Sequence, residues 1–438
     1  ARASGKVGVA YVITVPGLCN ILTPMVQAYS DSVPMLVISS CLDEVAAKRG
    51  QLHQMKDQRA AAETVCDWSE EARTPEAAYA LIDRALMEFE TRRARPKHVQ
   101  VPILQLEAPA PPPPGAANAE LAGDMRRDEL AVRMIADALM AAQRPVMVLG
   151  GGPTTGASLY PILAERVGAA VCTSYAGRGI MPPAHPLSFG AVLARPDSQR
   201  VIASADLVLV VGCELAEVDI WRDDLGGDAP MIRLDIDPAV LAAQQRPQDR
   251  LVLGEAYETM EAVLDAVEGC TPAPGWSADE IAKTRAQWRT ETDAERPGFV
   301  PLCDALREVV PADTMIYSDM TQFAYVAKEV WDMDRPRRWH HPYGFGTLGY
   351  ATPAAIGGAV ARPGKPTLAI IGDYGFHYTM QELGVAVELG LPIPIILWDN
   401  GKLKEIEDSM TRAQIAPNAV SARNPDFVKL AEAFGAKG

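Results

Sequence analysis

GDYGFHYTMQELGVAVELGLPIPIILWDN, residues 372–400, follows directly on the apolar run TLAII at 367–371. The run at 367–371 and a second at 393–398 (IPIILW) read as buried strands, separated by a helical length. Asp373 and Asn400 stand 27 positions apart (373 to 400), enough for a strand end, a crossover helix and the returning strand. A carboxylate and an amide then share one edge of a parallel sheet, where a hard cation and a phosphate can be held between them. By itself, Gly372-Asp373-Tyr374-Gly375 is also compatible with a plain strand-to-helix turn.

Upstream, a helix over 302–310 and a strand over 314–317 lead into Asp319-Met320-Thr321-Gln322 at the strand's carboxyl end, the usual ligand edge. Asp319 and Thr321 also fit helix caps. YGFGTLGY at 343–350 then runs into PAAIG at 353–357. Its glycines let the backbone approach a flat ring closely, and the helix that follows turns its positive end toward an anion.

These motifs, in this order, resemble the thiamine diphosphate enzymes of the acetolactate synthase and 2-oxo acid decarboxylase superfamily, whose binding motif is Gly-Asp-Gly followed at an interval by Asn-Asn. Tyr374 stands at the middle glycine, as in the glyoxylate carboligases, and Asp399 at the first asparagine. The resemblance implies that Mg²⁺ is held by Asp373, Asn400 and the main-chain carbonyl of Lys402. It implies cofactor contacts from Gln322, Gly346, Leu348, Gly372, Tyr374 and Gly375, with the Gly346 carbonyl on the aminopyrimidine and Leu348 wedged between the cofactor's rings. Residues 402–410 correspond to a mobile loop beyond the metal, in which Lys402 and Lys404 are either exposed or placed to meet an acidic substrate.

At the other end of the chain, the apolar run 7–14, the turn Val15-Pro16-Gly17, a helix through Tyr29 and a strand over 35–38 form a parallel β-turn-α-β unit. It resembles the second half of the family's pyrimidine-binding domain. The family's catalytic Glu lies upstream of the segment matching Ala1 and has no counterpart here, so the expectation is that residues are missing before Ala1, and others after Gly438. RGQLHQMKDQRAA at 49–61 lacks periodicity and reads as a loop, with His53 either a catalytic candidate or a solvated side chain. His53-Gln54-Met55 departs from the Phe-Gln-Glu of acetolactate synthases. It resembles the corresponding loop of 5-guanidino-2-oxopentanoate decarboxylases, with Met55 in place of the acid. A helix over 75–92 and a strand over 98–102 follow.

APAPPPPG at 108–115 cannot form a helix interior or a sheet centre and serves as a spacer. Between it and a second linker near 270, apolar strands at 145–149, 169–172, 207–211 and 231–235 predict a parallel Rossmann-like sheet of about six strands. Gly150-Gly151-Gly152-Pro153 fails the dinucleotide pattern, because Thr155 stands where the third glycine should be, and reads as tight turns. The loops around Gly177-Arg178-Gly179 and His185 resemble those of the family's central domain, which holds FAD in acetolactate synthases and usually nothing in decarboxylases; FAD is not expected here.

The expected architecture is therefore α/β, with three parallel-sheet domains: pyrimidine-binding (1–107), central Rossmann-like (116–270) and diphosphate-binding (297–438), the first and last incomplete. With 41 basic and 56 acidic residues, a net charge of −15 and no dense Lys/Arg run, nucleic acid is not an expected partner. No apolar run is long enough to span a bilayer, so a membrane is not expected either, and placement is cytoplasmic by default. The seven cysteines are scattered and never paired as CxxC, which points to reduced thiols. The implied activity is thiamine diphosphate- and Mg²⁺-dependent, non-oxidative decarboxylation of a small 2-oxo acid by a ylide/enamine mechanism, in a homodimer or homotetramer. Acetolactate synthase-type carboligation and a non-catalytic cofactor-binding relative are the alternatives.

Overall fold

The computed structural model describes residues 1–43, 49–113, 128–243 and 245–438. The last two residues of the proline-rich spacer and the predicted start of the central domain lie outside them. The chain divides into two compact units, one built from residues up to 123 together with Pro342–Thr347, the other from 124–341 and 348–438.

In the first unit, β1 (Gly8–Val12), β2 (Met35–Cys41), β3 (Trp68–Glu71) and β4 (Lys97–Pro102) form a parallel sheet in the order β1-β2-β4-β3. Pro16–Ser30 makes the first crossover, with Pro16 in the first turn, where its missing N–H costs nothing. The residue before it, Val15, is strained: a β-branched side chain at φ 42°. Its N–H donates to Gln58 Oε1 at 3.0 Å, and Gln58 Nε2 donates to Ser39 Oγ (3.0 Å) and the Ser40 carbonyl (2.8 Å). Ser39 Oγ pairs with His98 Nε2 at 2.8 Å, and Ser69 Oγ with His98 Nδ1 at 2.7 Å. His98 is fully buried, and burial pushes its pKa down to about 4.

Three elements here escape the sequence reading, one of them the single-turn helix Ile103–Leu106 that directly follows β4. Gln58–Glu63, within the stretch read as a loop, is a helix capped by Asp57, whose side chain accepts from the Ala60 N–H. The strand β3, WSEE, carries too little apolar character to announce itself.

The second unit holds two sheets. β5 (Pro145–Leu149), β6 (Ala170–Thr173), β7 (Ser188–Gly190), β8 (Leu207–Val211), β9 (Met231–Asp235) and β10 (Arg250–Leu253) form six parallel strands in the order β10-β9-β8-β5-β6-β7. That is the doubly wound order, with its switch point between β5 and β8. Here the crevice is filled by backbone. A Cβ on Gly150 would lie 2.1 Å from the Gly212 carbonyl oxygen, and the Gly152 N–H donates to that same carbonyl at 3.1 Å. The Gly150–Pro153 run is thus a tight crossing of two chain segments, as its failed dinucleotide pattern suggests.

The other sheet, in the order β12-β11-β13-β14, consists of β11 (Met315–Ser318), β12 (Trp339–His340), β13 (Thr367–Gly372) and β14 (Ile395–Trp398), again all parallel. The Gly177-Arg178-Gly179 loop docks against this part of the unit. Arg178 Nη1 donates to the carbonyls of Ala327 and Lys328, both at 3.2 Å, and a Cβ on Gly179 would meet the Arg335 carbonyl at 2.3 Å. All seven cysteines are free thiols, and among the described residues no helix is long and apolar enough to cross a membrane.

Candidate functional site

The site begins with a buried carboxylate. Asp319 follows β11 and is fully buried. Its Oδ2 accepts the Gly349 N–H at 2.7 Å and its Oδ1 the Met320 N–H at 2.8 Å. Burial raises its pKa to about 6, against the backbone N–H groups of Met320, Gly349, Ala351 and Tyr350, which favour the charged form. Asp319 is therefore a cap, but for the distant helix Ala351–Ala361 rather than its own. Its own helix, Gln322–Val330, is capped by Thr321, whose Oγ1 accepts from the Ala324 N–H at 3.0 Å. The Ala351–Ala361 helix starts two residues before Pro353, which sits in its first turn.

The glycines of the 372–375 turn are shaped by the DMTQ segment that carries this carboxylate. A Cβ on Gly375 would lie 2.7 Å from Asp319 Oδ2, and one on Gly372 would lie 3.2 Å from the Thr321 methyl group. Three motifs separated in sequence therefore converge on Asp319: DMTQ, the end of YGFGTLGY, and GDYG.

Asp373 is the first residue of the helix Asp373–Thr379 and is 3% exposed. Gly372 and Trp398 are register partners in β13 and β14, so Asp373 and Asp399 leave the sheet side by side. A side chain absent from the sequence reading joins them. Asn424 Nδ2 donates to Asp373 Oδ2 at 2.7 Å and to Asp399 Oδ1 at 2.6 Å, while its Oδ1 lies 3.1 Å from His377 Nε2. No motif marks Asn424; it lies three residues beyond Ser421, which pairs with Lys402 in an isolated antiparallel bridge. Asn400 Oδ1 accepts the Lys402 N–H at 3.0 Å, closing a turn in which Gly401 sits at φ 63°. A carboxylate, an amide oxygen and main-chain carbonyls at one sheet edge are hard donors of the kind Mg²⁺ takes, so the residues fit that ion. Among the described residues no group of three His, Cys, Asp or Glu side chains gathers as a metal cluster, here or elsewhere, so the fit rests on the mixed carboxylate, amide and carbonyl donors.

Leu348 is half-buried beside Gly349, and Tyr374 half-buried between Asp373 and Gly375. Gly346, at φ 71°, packs with the first unit, where its N–H donates to the Pro342 carbonyl at 3.0 Å. His53 also belongs to the first unit, half-buried and at φ 63°. Gln322 Nε2 donates to Glu405 Oε1 at 3.1 Å. The stretch expected as a mobile loop after Asn400 is largely the helix Lys404–Arg412. Lys402 pairs with Glu407 at 2.8 Å and Lys404 with Glu407 and Asp408, so both cations are answered by carboxylates close by in sequence.

Comparison with known proteins matches three stretches of the chain. Residues 319–438 match the thiamine pyrophosphate enzyme C-terminal TPP binding domain, 132–263 the central domain, and 1–61 the N-terminal TPP binding domain. The chain is 40% identical over 440 residues to the probable 2-ketoarginine decarboxylase AruI of Pseudomonas aeruginosa, covering 99% of this chain and 78% of that protein. The chain belongs to the thiamine pyrophosphate enzyme family. Within this thiamine pyrophosphate enzyme, the C-terminal match opens at Asp319 and takes in Gln322, Leu348, Asp373, Asn400 and Asn424, while the central match contains all six strands from β5 to β10. The enzyme is also 26% identical to the probable acetolactate synthase large subunit of Methanococcus aeolicus, over 490 residues covering 100% of this chain and 78% of that one. It is 26% identical to acetolactate synthase isozyme 3 large subunit of Escherichia coli, over 464 residues covering 100% and 79%.

Proposed function

We propose that this thiamine pyrophosphate enzyme catalyses the Mg²⁺-dependent, non-oxidative decarboxylation of a 2-oxo acid. The observation that carries the reading is the pairing of β13 with β14, which sets Asp373 beside Asp399 and Asn400 at one sheet edge, next to the Asp319–Gly349 bond. Asp373, Asn400 and the Lys402 carbonyl would hold Mg²⁺ on the diphosphate. Gln322 would contact the diphosphate, the Gly346 carbonyl the aminopyrimidine, and Leu348 would fill the bend between the cofactor's rings. Gly372, Tyr374 and Gly375 line the same turn, where a side chain at Gly375 would displace Asp319. When bound, thiamine diphosphate supplies the electron sink that accepts the pair released as CO₂ leaves. Asp319 keeps the backbone of Gly349 aimed and keeps water from that side of the turn, since it is buried on every face. His53 is a candidate catalytic acid or base.

The name of the 40% identical relative, a probable decarboxylase, favours decarboxylation, and the matches to acetolactate synthases favour carboligation as the second reading. The domains proposed are 1–107, 116–270 and 297–438, the active unit a homodimer or homotetramer, and the location cytoplasmic. The test is CO₂ release from a panel of 2-oxo acids with thiamine diphosphate and Mg²⁺, beside Mg²⁺-dependent cofactor binding read by tryptophan fluorescence. Asp373→Ala is expected to abolish that binding; unchanged binding would overturn the metal assignment. Cofactor binding without CO₂ release from any 2-oxo acid would mark a non-catalytic relative, and acetolactate formed from pyruvate would mark a carboligase.

A further inference from the structure

The Gln322–Val330 helix presents Gln322 and Tyr325, one turn apart, toward the start of the Lys404–Arg412 helix. Glu405 Oε1 accepts from Gln322 Nε2 at 3.1 Å and also takes Arg296 Nη2 at 2.8 Å. The Arg296 guanidinium lies over the Tyr325 ring, 5.5 Å from its centroid. Glu405 is 35% exposed and Arg296 31%, so the pair is open to solvent and to ligand. Nearby, Lys402 and Lys404 are neutralised by Glu407 and Asp408, which leaves Glu405 as the charged group that faces Gln322.

From this arrangement we infer that Glu405, with the Tyr325 ring beside it, is the specificity determinant for a substrate that ends in a guanidinium, and that Arg296 holds the place when no such substrate is bound. The inference rests on the 2-oxo acid decarboxylase reading and on Gln322 lying at the cofactor. The chemistry is direct. A carboxylate accepts a planar guanidinium through two parallel N–H bonds, and an aromatic ring beside it favours a flat, weakly hydrated cation over an ammonium. Arg296 already meets both partners in one place, with one N–H bond to Glu405 and its guanidinium over the Tyr325 ring. A 2-oxo acid of arginine's length carries its carboxylate and oxo group at one end and such a cation at the other, which agrees with the 2-ketoarginine in the name of the 40% identical relative.

The experiment compares kcat/KM for CO₂ release from 5-guanidino-2-oxopentanoate and from 2-oxooctanoate, whose tail is uncharged and of similar length, on the full chain loaded with thiamine diphosphate and Mg²⁺. The wild type is expected to prefer the guanidino acid. Glu405→Gln should lower the ratio of the two values by about 10- to 100-fold, the worth of a hydrogen bond to a charged group, and Glu405→Asp should restore part of it. Arg296→Met, which removes the internal occupant, should lower KM for the guanidino acid while leaving kcat in place. As a readout independent of turnover, agmatine should bind the loaded wild type in a calorimetric titration and fail to bind Glu405→Gln. Equal loss on both acids, with the ratio unchanged, would show that Glu405 only braces Gln322 and would overturn the proposal, as would a wild type indifferent to the guanidinium. If neither acid nor any other releases CO₂, it is the decarboxylase reading that fails, while agmatine binding still tests Glu405.

Discussion

Asp319 and His98 show how single buried groups set opposite pH responses. The folded-state pKa of Asp319 is raised to about 6, so between the ordinary carboxylate range and that value the native state binds the extra proton. The stability from this group is therefore full below about 4 and lost as pH rises toward 6. For His98 the folded value is depressed to about 4, so its contribution is full above about 6.5 and lost as pH falls through the interval. Asp319→Asn should flatten the first slope, an effect on the order of 2–3 kcal/mol at pH 7 for a shift of this size, and urea midpoints at pH 4 and pH 7 check it. Gln58→Leu should destabilise the first unit by about 2–4 kcal/mol, because it leaves the Val15 N–H and the Ser40 carbonyl unpaired and releases the hold on a strained residue. A crystal structure of that variant should show Val15 leaving φ 42°.

At the level of elements, the legible parts of the sequence were those whose burial is continuous. β5, β8 and the centre of β13, Leu368 to Ile371, are apolar because they are covered on both faces, and their runs stand out in the chain. The strand β3 and the helix Gln58–Glu63 did not stand out, since WSEE and QRAAAE carry their order in pairing and capping rather than in apolar periodicity. The cofactor motifs were legible as short strings. Asn424 and the Arg296–Glu405 pair were not, because each is a meeting of side chains brought together by tertiary structure, with no spacing rule. The 27-residue interval from Asp373 to Asn400 is itself only a consequence of register, since Gly372 pairs with Trp398 whatever lies between. A residue inserted after Gly390, where a Cβ would meet nothing within 4 Å, should leave Mg²⁺-dependent cofactor binding intact, and one inserted within Ile395–Trp398 should abolish it. Gly150→Ala should cost about 2–4 kcal/mol in thermal or chemical unfolding, as its Cβ would drive into the Gly212 carbonyl and part β5 from β8.

Across the whole molecule, the two titrations fall in different units, His98 in the first and Asp319 in the second. On acidification from pH 7 to 5, hydrogen exchange should quicken in β4 before it does in β13; equal or reversed order would contradict the assignment. The first unit is also discontinuous. The Gly344 N–H donates to Asp31 Oδ1 at 2.9 Å and the Thr347 N–H to Gln27 Oε1 at 3.2 Å, from a six-residue return, Pro342–Thr347. During synthesis, the strands of that unit emerge early, yet Gln27 and Asp31 must wait for about 230 further residues beyond the proline-rich spacer, roughly 10–50 s at ordinary translation rates. Until then the Asp31 carboxylate has, among the described residues, only Gln27, at 2.7 Å, and Arg2, at 3.3 Å, so the ribosome's pace, rather than the stability of the finished enzyme, sets how long that end of the helix Pro16–Ser30 waits for its last partners.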